Sequence, residues 1–401
     1  MSPKIILLFL GAGFLILMSC SGPKASKVTF VEENIRFAVA QEKLQVDAIE
    51  KSGKILNPRT VANGKVKYIS MKDWTSGFYP GTMWYMYELT GDSIWKTYAK
   101  KYTEAIDSVK YITSNHDVGF MIQCSFGNGF RLTNDTAYKN VMIKAAKSLS
   151  TRFKPIAGII QSWDADKGWQ SERGWECPVI IDNMMNLELL FNATRLTGDS
   201  SFYKIAVSHA DKTIQNHYRP DYSCYHVVDY SLTDGAVRNR HTAQGFAHES
   251  AWARGQAWGI YGFTVCYRET HNPKYLLQAQ KAFEFVIHHK NFPADFVPYW
   301  DLDAPKIPNE PRDASAAAII ASALYELSTF ENSEYYKGWA DKIMQSLAGS
   351  TYRAKPGENG NFILMHSVGS IPHGAEIDVP LNYADYYFME ALQRKSKTEV
   401  K

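Results

Sequence analysis

A degenerate repeat of apolar and polar positions runs through the chain. In each copy an amphipathic segment ends in Leu-Thr-x-Asp or a variant, and a second amphipathic segment with an aromatic residue near its start follows. Gly or Asn after an apolar-periodic run is typical of a helix C-cap, and Asp or Asn before the next run is typical of an N-cap. Each copy is therefore predicted to be a helical hairpin. The copies begin at Glu88, Arg131, Arg195, Arg268 and Tyr325.

The spacing of the copies is uneven, with steps of 43, 64, 73 and 57 residues. A strict solenoid would keep one period, so hairpins separated by loops of different length fit better. Helices near residues 30–51 and 382–394 would complete about twelve helices. Strand signals are sparse, and the clearest, over residues 225–230, predicts one arm of a small hairpin. The sequence thus predicts an all-α fold, an (α/α)6 barrel or six-hairpin toroid, with an open helical-repeat array as the alternative.

The first residues have the pattern of an export signal. One lysine precedes an apolar run over residues 5–18, and small residues surround Cys20. The run is short for a membrane-spanning helix, and its Leu-Met-Ser-Cys ending resembles a bacterial lipoprotein signal. We predict a signal peptide over residues 1–19, lipid attachment at Cys20, a tether over residues 20–26 and a single barrel domain over residues 27–401. The protein would then lie in the periplasm or at the cell surface; an ordinary signal peptide or a membrane anchor is the alternative.

Composition excludes some classes of function. The net charge is only +3 and no basic block stands out, which argues against a nucleic-acid partner. Aromatic residues make up 13% of the chain, a surplus that is common in carbohydrate-binding proteins and also in large helical cores. No CxxC spacing occurs, so we expect neither a zinc site nor a disulfide framework, although one disulfide is compatible with an oxidising compartment. The cysteines after the signal are Cys124, Cys177, Cys224 and Cys266.

The densest cluster of candidate binding residues is the run QGFAHESAWARGQAW over residues 244–258. On a helix, Trp252 and Gln256 would share one face, and Arg254 and Trp258 would share another. A guanidinium fork binds a carboxylate through two parallel bonds, and a Trp face can stack on a sugar ring. The run therefore suggests a site for an acidic sugar. A buried Trp pair with a structurally paired Arg is the alternative.

Two aspartates are candidates for acid–base chemistry. Asp182 lies between Ile181 and Met184 at the start of a strongly apolar segment, where a buried carboxyl would hold its proton to higher pH. Asp117 lies in the segment Asn-His-Asp-Val-Gly-Phe, between two predicted helices. A helix N-cap at Asp182 and a turn before Gly119 at Asp117 are the structural alternatives. The residues alone leave both interpretations open.

Several segments, in order along nearly the whole chain after the signal, resemble the unsaturated glucuronyl hydrolases of glycoside hydrolase family 88. They are DWTSGFYPG from Asp73, HDVGF from His116, IDNMMN from Ile181, WARGQAWG from Trp252, DASAA from Asp313 and YADYYF from Tyr383. The resemblance implies an α/α six-hairpin barrel. It also implies removal of a 4,5-unsaturated uronic acid from the non-reducing end of lyase-generated oligosaccharides, with glycosaminoglycan fragments as the expected source.

The resemblance further implies roles for individual residues. Asp182 matches the catalytic acid/base of the family, and Asp117 matches its second essential aspartate. The positions that bind the substrate are matched by Trp74, His226, Gln244, Arg254 and Trp258. Residues 365–370 fall where family members contact the next sugar, and no clear sulfate-reading pattern is recognised there. No cofactor or metal is implied, and a monomer or weak dimer is expected.

Other classes of function remain open at the level of sequence. An unsaturated rhamnogalacturonyl hydrolase would share the barrel but act on pectin fragments. A glycosidase that cuts a saturated sugar is a more distant enzyme. A glycan-capture lipoprotein without catalysis would also be aromatic-rich and helical, and it would be favoured if Asp117 and Asp182 lay far apart or fully exposed.

Overall fold

The computed structural model describes residue 1 and residues 28–399. The chain alternates between an outer and an inner ring of helices. The outer helices are α1 (Phe30–Glu50), α3 (Ser93–Ala105), α6 (Thr136–Ser150), α8 (Ser200–His217), α10 (Pro273–His288) and α12 (Ser333–Leu347). The inner helices are α2 (Phe78–Thr90), α4 (Val118–Ile122) with α5 (Asn128–Thr133), α7 (Leu187–Thr197), α9 (Ala253–Thr270), α11 (Ala314–Leu327) and α13 (Asn382–Glu399). A π-helical turn, Gln123–Gly127, joins α4 to α5 as one inner element.

The inner helices pack side by side in chain order, and α13 packs on α2 to close the ring. Small side chains permit this packing: α11 is rich in alanine and is buried at every residue, between α9 and α13. Outer helices bury an apolar face against the inner ring and expose their polar face to solvent, as amphipathic helices do. The closed ring confirms the predicted (α/α)6 toroid, and the open array is wrong.

The predicted repeat is the joint between an inner helix and the outer helix that follows it. In four joints the inner helix ends in a left-handed residue with φ between 53° and 76°, and the next side chain accepts a bond from a backbone N–H of the outer helix. The two residues of each joint are Gly91 and Asp92, Asn134 and Asp135, Gly198 and Asp199, and His271 and Asn272. The joints are short because each cap ends one helix and starts the next.

The connections from outer to inner helices are long, and all of the small sheets lie within them. The sheets are antiparallel: β1 pairs with β2, β3 with β4 and β8 with β9, and the remaining sheet has the order β5-β6-β7. The strands are β1 (Asn57–Ala62), β2 (Lys65–Ile69), β3 (Phe153–Lys154), β4 (Ile159–Ile160), β5 (Pro178–Ile180), β6 (Val227–Tyr230), β7 (Val237–His241), β8 (Ser367–Ser370) and β9 (Ala375–Val379). The predicted strand is β6, which lies in the middle of its sheet and pairs with β7 as a hairpin.

Two further observations bear on the chemical environment. Across residues 28–399, no helix combines the length and apolarity needed to traverse a bilayer. The four cysteines of this region are free and buried, so none is in a disulfide. The predicted signal, tether and Cys20 lie outside the described residues.

Close packing of the inner ring predicts a contrast between two glycines. A Cβ at Gly262 in α9 would lie 2.4 Å from the Met184 Cβ, whereas a Cβ at Gly338 in α12 would meet nothing within 4 Å. Gly262→Ala should lower the free energy of unfolding by about 1–3 kcal/mol. Gly338→Ala, the control, should raise it by about 0.5–1 kcal/mol through helix propensity. Urea denaturation measures both; equal stability of the two variants would contradict the tight contact around Met184.

Candidate active site

A cavity of about 320 Å³ opens at the end of the barrel where the inner helices begin. Its walls come from the long connections: Trp74 precedes α2, Asp117 precedes α4, Asp182 precedes α7, and Tyr383 lies in the first turn of α13. Each helix start carries partial positive charge from the helix dipole. Their convergence gives the cavity a positive background that suits an anionic ligand.

A glycine contact brings the two candidate aspartates into the same cavity. A Cβ on Gly119 would lie 2.4 Å from the Asn186 side chain and 2.6 Å from its Cα, so only glycine lets the first turn of α4 approach this closely. The amide N–H of Phe120 then donates to Asn186 Oδ1 at 2.8 Å. Because Asp117 precedes α4 and Asp182 lies in the same short 3-10 helix as Asn186, this contact places both carboxyl groups on the cavity wall.

Neither aspartate has the structural role that its sequence context allows. Asp117 stands at the start of α4 but accepts no capping bond. Asp182 lies within the 3-10 helix Ile181–Asn186, and its Oδ2 atom is buried without a hydrogen-bond partner in the described part of the chain. The Asp182 residue is 7% exposed, and the Asp117 side chain is 14% exposed. Both carboxyl groups are therefore available to a ligand.

The surroundings of the two carboxyl groups favour their protonated forms. Burial raises the pKa of Asp117 to about 8, with further increases from the charges of Asp182 and Asp73. Burial also raises the pKa of Asp182 to about 7, against the lowering effect of the Arg254 charge. Two carboxyl groups that influence each other titrate as a pair. The pair therefore retains a proton near neutral pH, which is the condition for a general acid.

Two buried histidines face the aspartates in their neutral form. His116 Nε2 lies 3.2 Å from Asp117 Oδ1, and burial lowers the pKa of His116 to about 3. His226 Nε2 lies 3.8 Å from Asp182 Oδ2, and burial lowers the pKa of His226 well below its ordinary value. The Nδ1 atom of His226 accepts bonds from the amides of Ala243 and Gln244, at 3.0 and 3.2 Å. The proton of His226 is consequently on Nε2, which faces Asp182.

Arg254 borders the cavity, but both terminal nitrogens of its guanidinium donate hydrogen bonds to protein acceptors. Its terminal nitrogens donate to Asp313 Oδ2 at 3.1 Å, to the carbonyl of Val368, and to the carbonyl of Gly369 at 2.7 Å. The remaining Nε atom is buried and has no partner within the described chain. Three of the five N–H groups of the guanidinium are used in these bonds, so Nε and one terminal N–H remain for a ligand. Arg254 also contributes its positive charge.

The structure brings most of the predicted site residues together. Five of the seven line the cavity: Trp74, Asp117, Asp182, Gln244 and Arg254. Trp258 is fully buried behind them, with its ring 5.2 Å from that of Phe120. His226 is likewise buried, and its ring lies 4.5 Å from that of Trp252. As the packing alternative expected, Gln256 is buried and bonds Cys224, including its backbone N–H and carbonyl.

Several lining residues were not identified from the sequence. They are Arg59, Trp163, Trp169, Gln170, Ile180, His373, Ala375, Glu376 and Tyr383. Gly369 and Ser370 also line the cavity, and they lie within residues 365–370, where the resemblance implies contact with the next sugar. A signal that could have found some of the missed residues is the close spacing of Trp163, Trp169 and Trp175 in the sequence. Arg59 is bound between Asp73 and Glu376, a contact across more than three hundred residues that no local pattern reveals.

The described residues contain no group of three or more His, Cys, Asp or Glu side chains arranged to hold a metal ion.

The sequence model of a family described as Glycosyl Hydrolase Family 88 matches residues 54–399. The chain belongs to this family. Glycoside hydrolase chemistry agrees with a cavity that offers two protonatable carboxyl groups and aromatic walls.

Individual members of family 88 align over most of the chain. An unsaturated glucuronyl hydrolase from Formosa agariphila is 45% identical over 401 residues, covering 99% of this chain and 98% of that protein. An unsaturated chondroitin disaccharide hydrolase from Streptococcus agalactiae is 30% identical and covers 91% of each chain. A crystal structure of an unsaturated glucuronyl hydrolase specific for heparin superposes with a TM-score of 0.88 at 44% identity, covering 92% of this chain and 98% of that one.

The raised pKa of Asp182 predicts a pH-dependent gain in stability for Asp182→Asn. Because the folded protein binds this proton more tightly than the unfolded chain does, Asp182 destabilises the fold progressively as pH rises from about 4 to about 7. The variant has no such proton. At pH 8 it should be more stable than the original protein, by at most about 4 kcal/mol, and the gain should vanish near pH 4.

Denaturant titrations at several pH values measure this difference. Asp166→Asn, on the exposed surface, is the control, since its carboxylate stays in water in both states. A gain for Asp182→Asn that is the same at pH 4 and pH 8 would contradict a proton held by burial.

Proposed function

We propose that the protein removes a 4,5-unsaturated uronic acid from the non-reducing end of lyase-generated oligosaccharides by hydrating the C4=C5 bond. The pair of protonatable carboxyl groups, Asp117 and Asp182, on the wall of an aromatic cavity is the observation that carries this proposal. The names of its relatives, an unsaturated glucuronyl hydrolase and an unsaturated chondroitin disaccharide hydrolase, support it.

The reaction needs one group that first gives a proton and then takes one. The double bond joins C5, which carries the ring oxygen, so the substrate is a vinyl ether. Asp182 protonates C4, and the positive charge that forms at C5 is shared by the ring oxygen. Water then adds at C5 and returns a proton to the Asp182 carboxylate. The resulting hemiketal opens at the bond between C5 and the ring oxygen, and C1, now a hemiacetal carbon, releases the next sugar.

The other site residues would position the ring for this step. The Trp74 ring is held by Phe120 at 5.7 Å, Tyr383 at 5.2 Å and the Arg59 guanidinium at 5.8 Å. The part of the ring that lines the cavity would contact the flat unsaturated sugar. Asp117, with a raised pKa, binds substrate hydroxyls or helps Asp182 keep its proton. Neutral His226 offers its Nε2 proton beside Asp182.

Recognition of the uronate carboxylate would rest on the positive background of the cavity rather than on one free guanidinium fork. Arg254 supplies a charge with Nε unpartnered, and the helix starts add the partial positive charge of their dipoles. Arg59 is nearby, but Asp73 and Glu376 already neutralise it. We propose glycosaminoglycan fragments as the substrates, because relatives act on chondroitin disaccharides or are specific for heparin.

Replacement of Asp182 should separate catalysis from binding. Asp182→Asn keeps the shape of the side chain but cannot donate a proton to C4, so kcat should fall by about a thousandfold or more. The measurement is the loss of ultraviolet absorbance of the conjugated double bond in unsaturated disaccharides from chondroitin, hyaluronan and heparin. Asp166→Asn is the matched control. Near-full activity of Asp182→Asn would overturn the assignment, and turnover of a saturated disaccharide would overturn the reaction.

We also propose that Cys20 carries a lipid anchor and that the protein is held at the membrane on the periplasmic or outer side. The apolar run over residues 5–18 and the small residues around Cys20 support this. Cys20→Ser should abolish incorporation of labelled fatty acid and release the protein into the soluble fraction after lysis of a Gram-negative host. A membrane-bound Cys20→Ser protein without label would show that the apolar run itself is the anchor.

A further inference from the structure

A second depression, of about 410 Å³, lies beside the active-site cavity. Two chain segments separate them. In the first, Gln244 lines the cavity while its neighbours Ala243 and Gly245 line the depression. In the second, His373 lines the cavity and Pro372 lines the depression. The cavity itself is small for a ligand site, so it holds only the end of an oligosaccharide. A longer chain must extend beyond the cavity, and this depression adjoins it. We call the depression the distal groove.

The distal groove displays an apolar ring on a rigid loop. Phe246 lines the groove and is 46% exposed. Its backbone N–H donates to Asp301 Oδ2 at 2.9 Å, and the Ser250 hydroxyl donates to the same oxygen at 2.7 Å. On the other side, the Gly245 N–H donates to Thr242 Oγ1 at 2.7 Å. Because Asp301 is fully buried, these bonds hold the loop in place while its aromatic ring faces water.

The distal groove is also lined by a cation, Arg173, that no carboxylate neutralises. The guanidinium of Arg173 lies over the rings of Trp169 and Trp175, 5.6 and 5.8 Å from their centroids. Among residues 28–399, Arg173 forms no ion pair. A guanidinium that rests on aromatic rings keeps its N–H edge free for an anion. Trp169 lines the active-site cavity and Arg173 lines the distal groove, so this stacked pair lies between the two depressions.

We propose that the distal groove binds the sugars that follow the leaving sugar in longer substrates, with Phe246 stacking on a sugar ring and Arg173 pairing with an anionic substituent. This inference rests on the proposed function. Polymers of alternating uronate and amino sugar place a second carboxylate on the third ring from the unsaturated end, and many also carry sulfate esters. Both anions have oxygen acceptors that suit the Arg173 edge.

The test compares unsaturated di- and tetrasaccharides prepared by lyase from unsulfated and sulfated chondroitin. Phe246→Ala should lower kcat/KM for tetrasaccharides about tenfold, chiefly by raising KM, and should change the value for disaccharides less than twofold. Arg173→Gln should lower kcat/KM for tetrasaccharides about threefold, and more at low salt. The controls are Leu232→Ala, at an apolar residue that is 37% exposed, and Lys167→Gln, in the loop of Arg173.

The arms distinguish the possible outcomes. A loss with Arg173→Gln on sulfated tetrasaccharides alone identifies a sulfate ester, and an equal loss on both tetrasaccharides identifies the carboxylate. If Phe246→Ala and Arg173→Gln act equally on di- and tetrasaccharides, or not at all, the distal groove is not a sugar subsite. If the protein without substitutions hydrolyses no unsaturated di- or tetrasaccharide, the proposed function itself is wrong, and the variants do not bear on the distal groove.

Discussion

Every inner helix of this barrel begins at the same end, and the rest of the molecule depends on that constraint. An outer helix returns the chain after each inner one, so the capped joints all meet at one end and the long connections all meet at the other. Residues just before the inner helices are thereby forced together, although they are far apart in sequence. The positive ends of the helix dipoles point toward the same space. A cavity with a positive background and loop-borne side chains follows from connectivity.

The buried ion pair of Arg254 and Asp313 holds α9, α11 and β8 together at the cavity end of the barrel. Asp313 caps α11 through its other oxygen, and Arg254 fastens the β8 carbonyls of Val368 and Gly369 onto α9. The pair is almost completely desolvated, so breaking it would leave a lone buried charge at high cost. Because Arg254 is largely neutralised in this way, burial outweighs its effect on Asp182, and the carboxyl can keep its proton.

The elements that the sequence predicted well depend on local chemistry. Gly91 with Asp92, and Gly198 with Asp199, form the caps that their identities indicated, and the toroid follows from repeating such joints. What was missed depends on contacts between distant residues. The clamp of Asp73 and Glu376 on Arg59 joins two hairpins, and the burial of Trp258 depends on the neighbouring inner helices. The family resemblance identified the two aspartates, whereas the partly occupied fork of Arg254 required the fold.

The division of the barrel into a fixed end and variable loops explains where selectivity for longer substrates would reside. The positions of Asp117 and Asp182 depend on the close contact of Gly119 with Asn186. Neither segment can shift without separating the inner helices. The distal groove depends instead on loop residues such as Phe246 and Arg173, whose replacement leaves the helix packing intact. Chemistry on the terminal unsaturated sugar and recognition of the sugars behind it are thus carried by separate parts of the structure. One reaction can then be retained while the groove adapts to polymers of different charge.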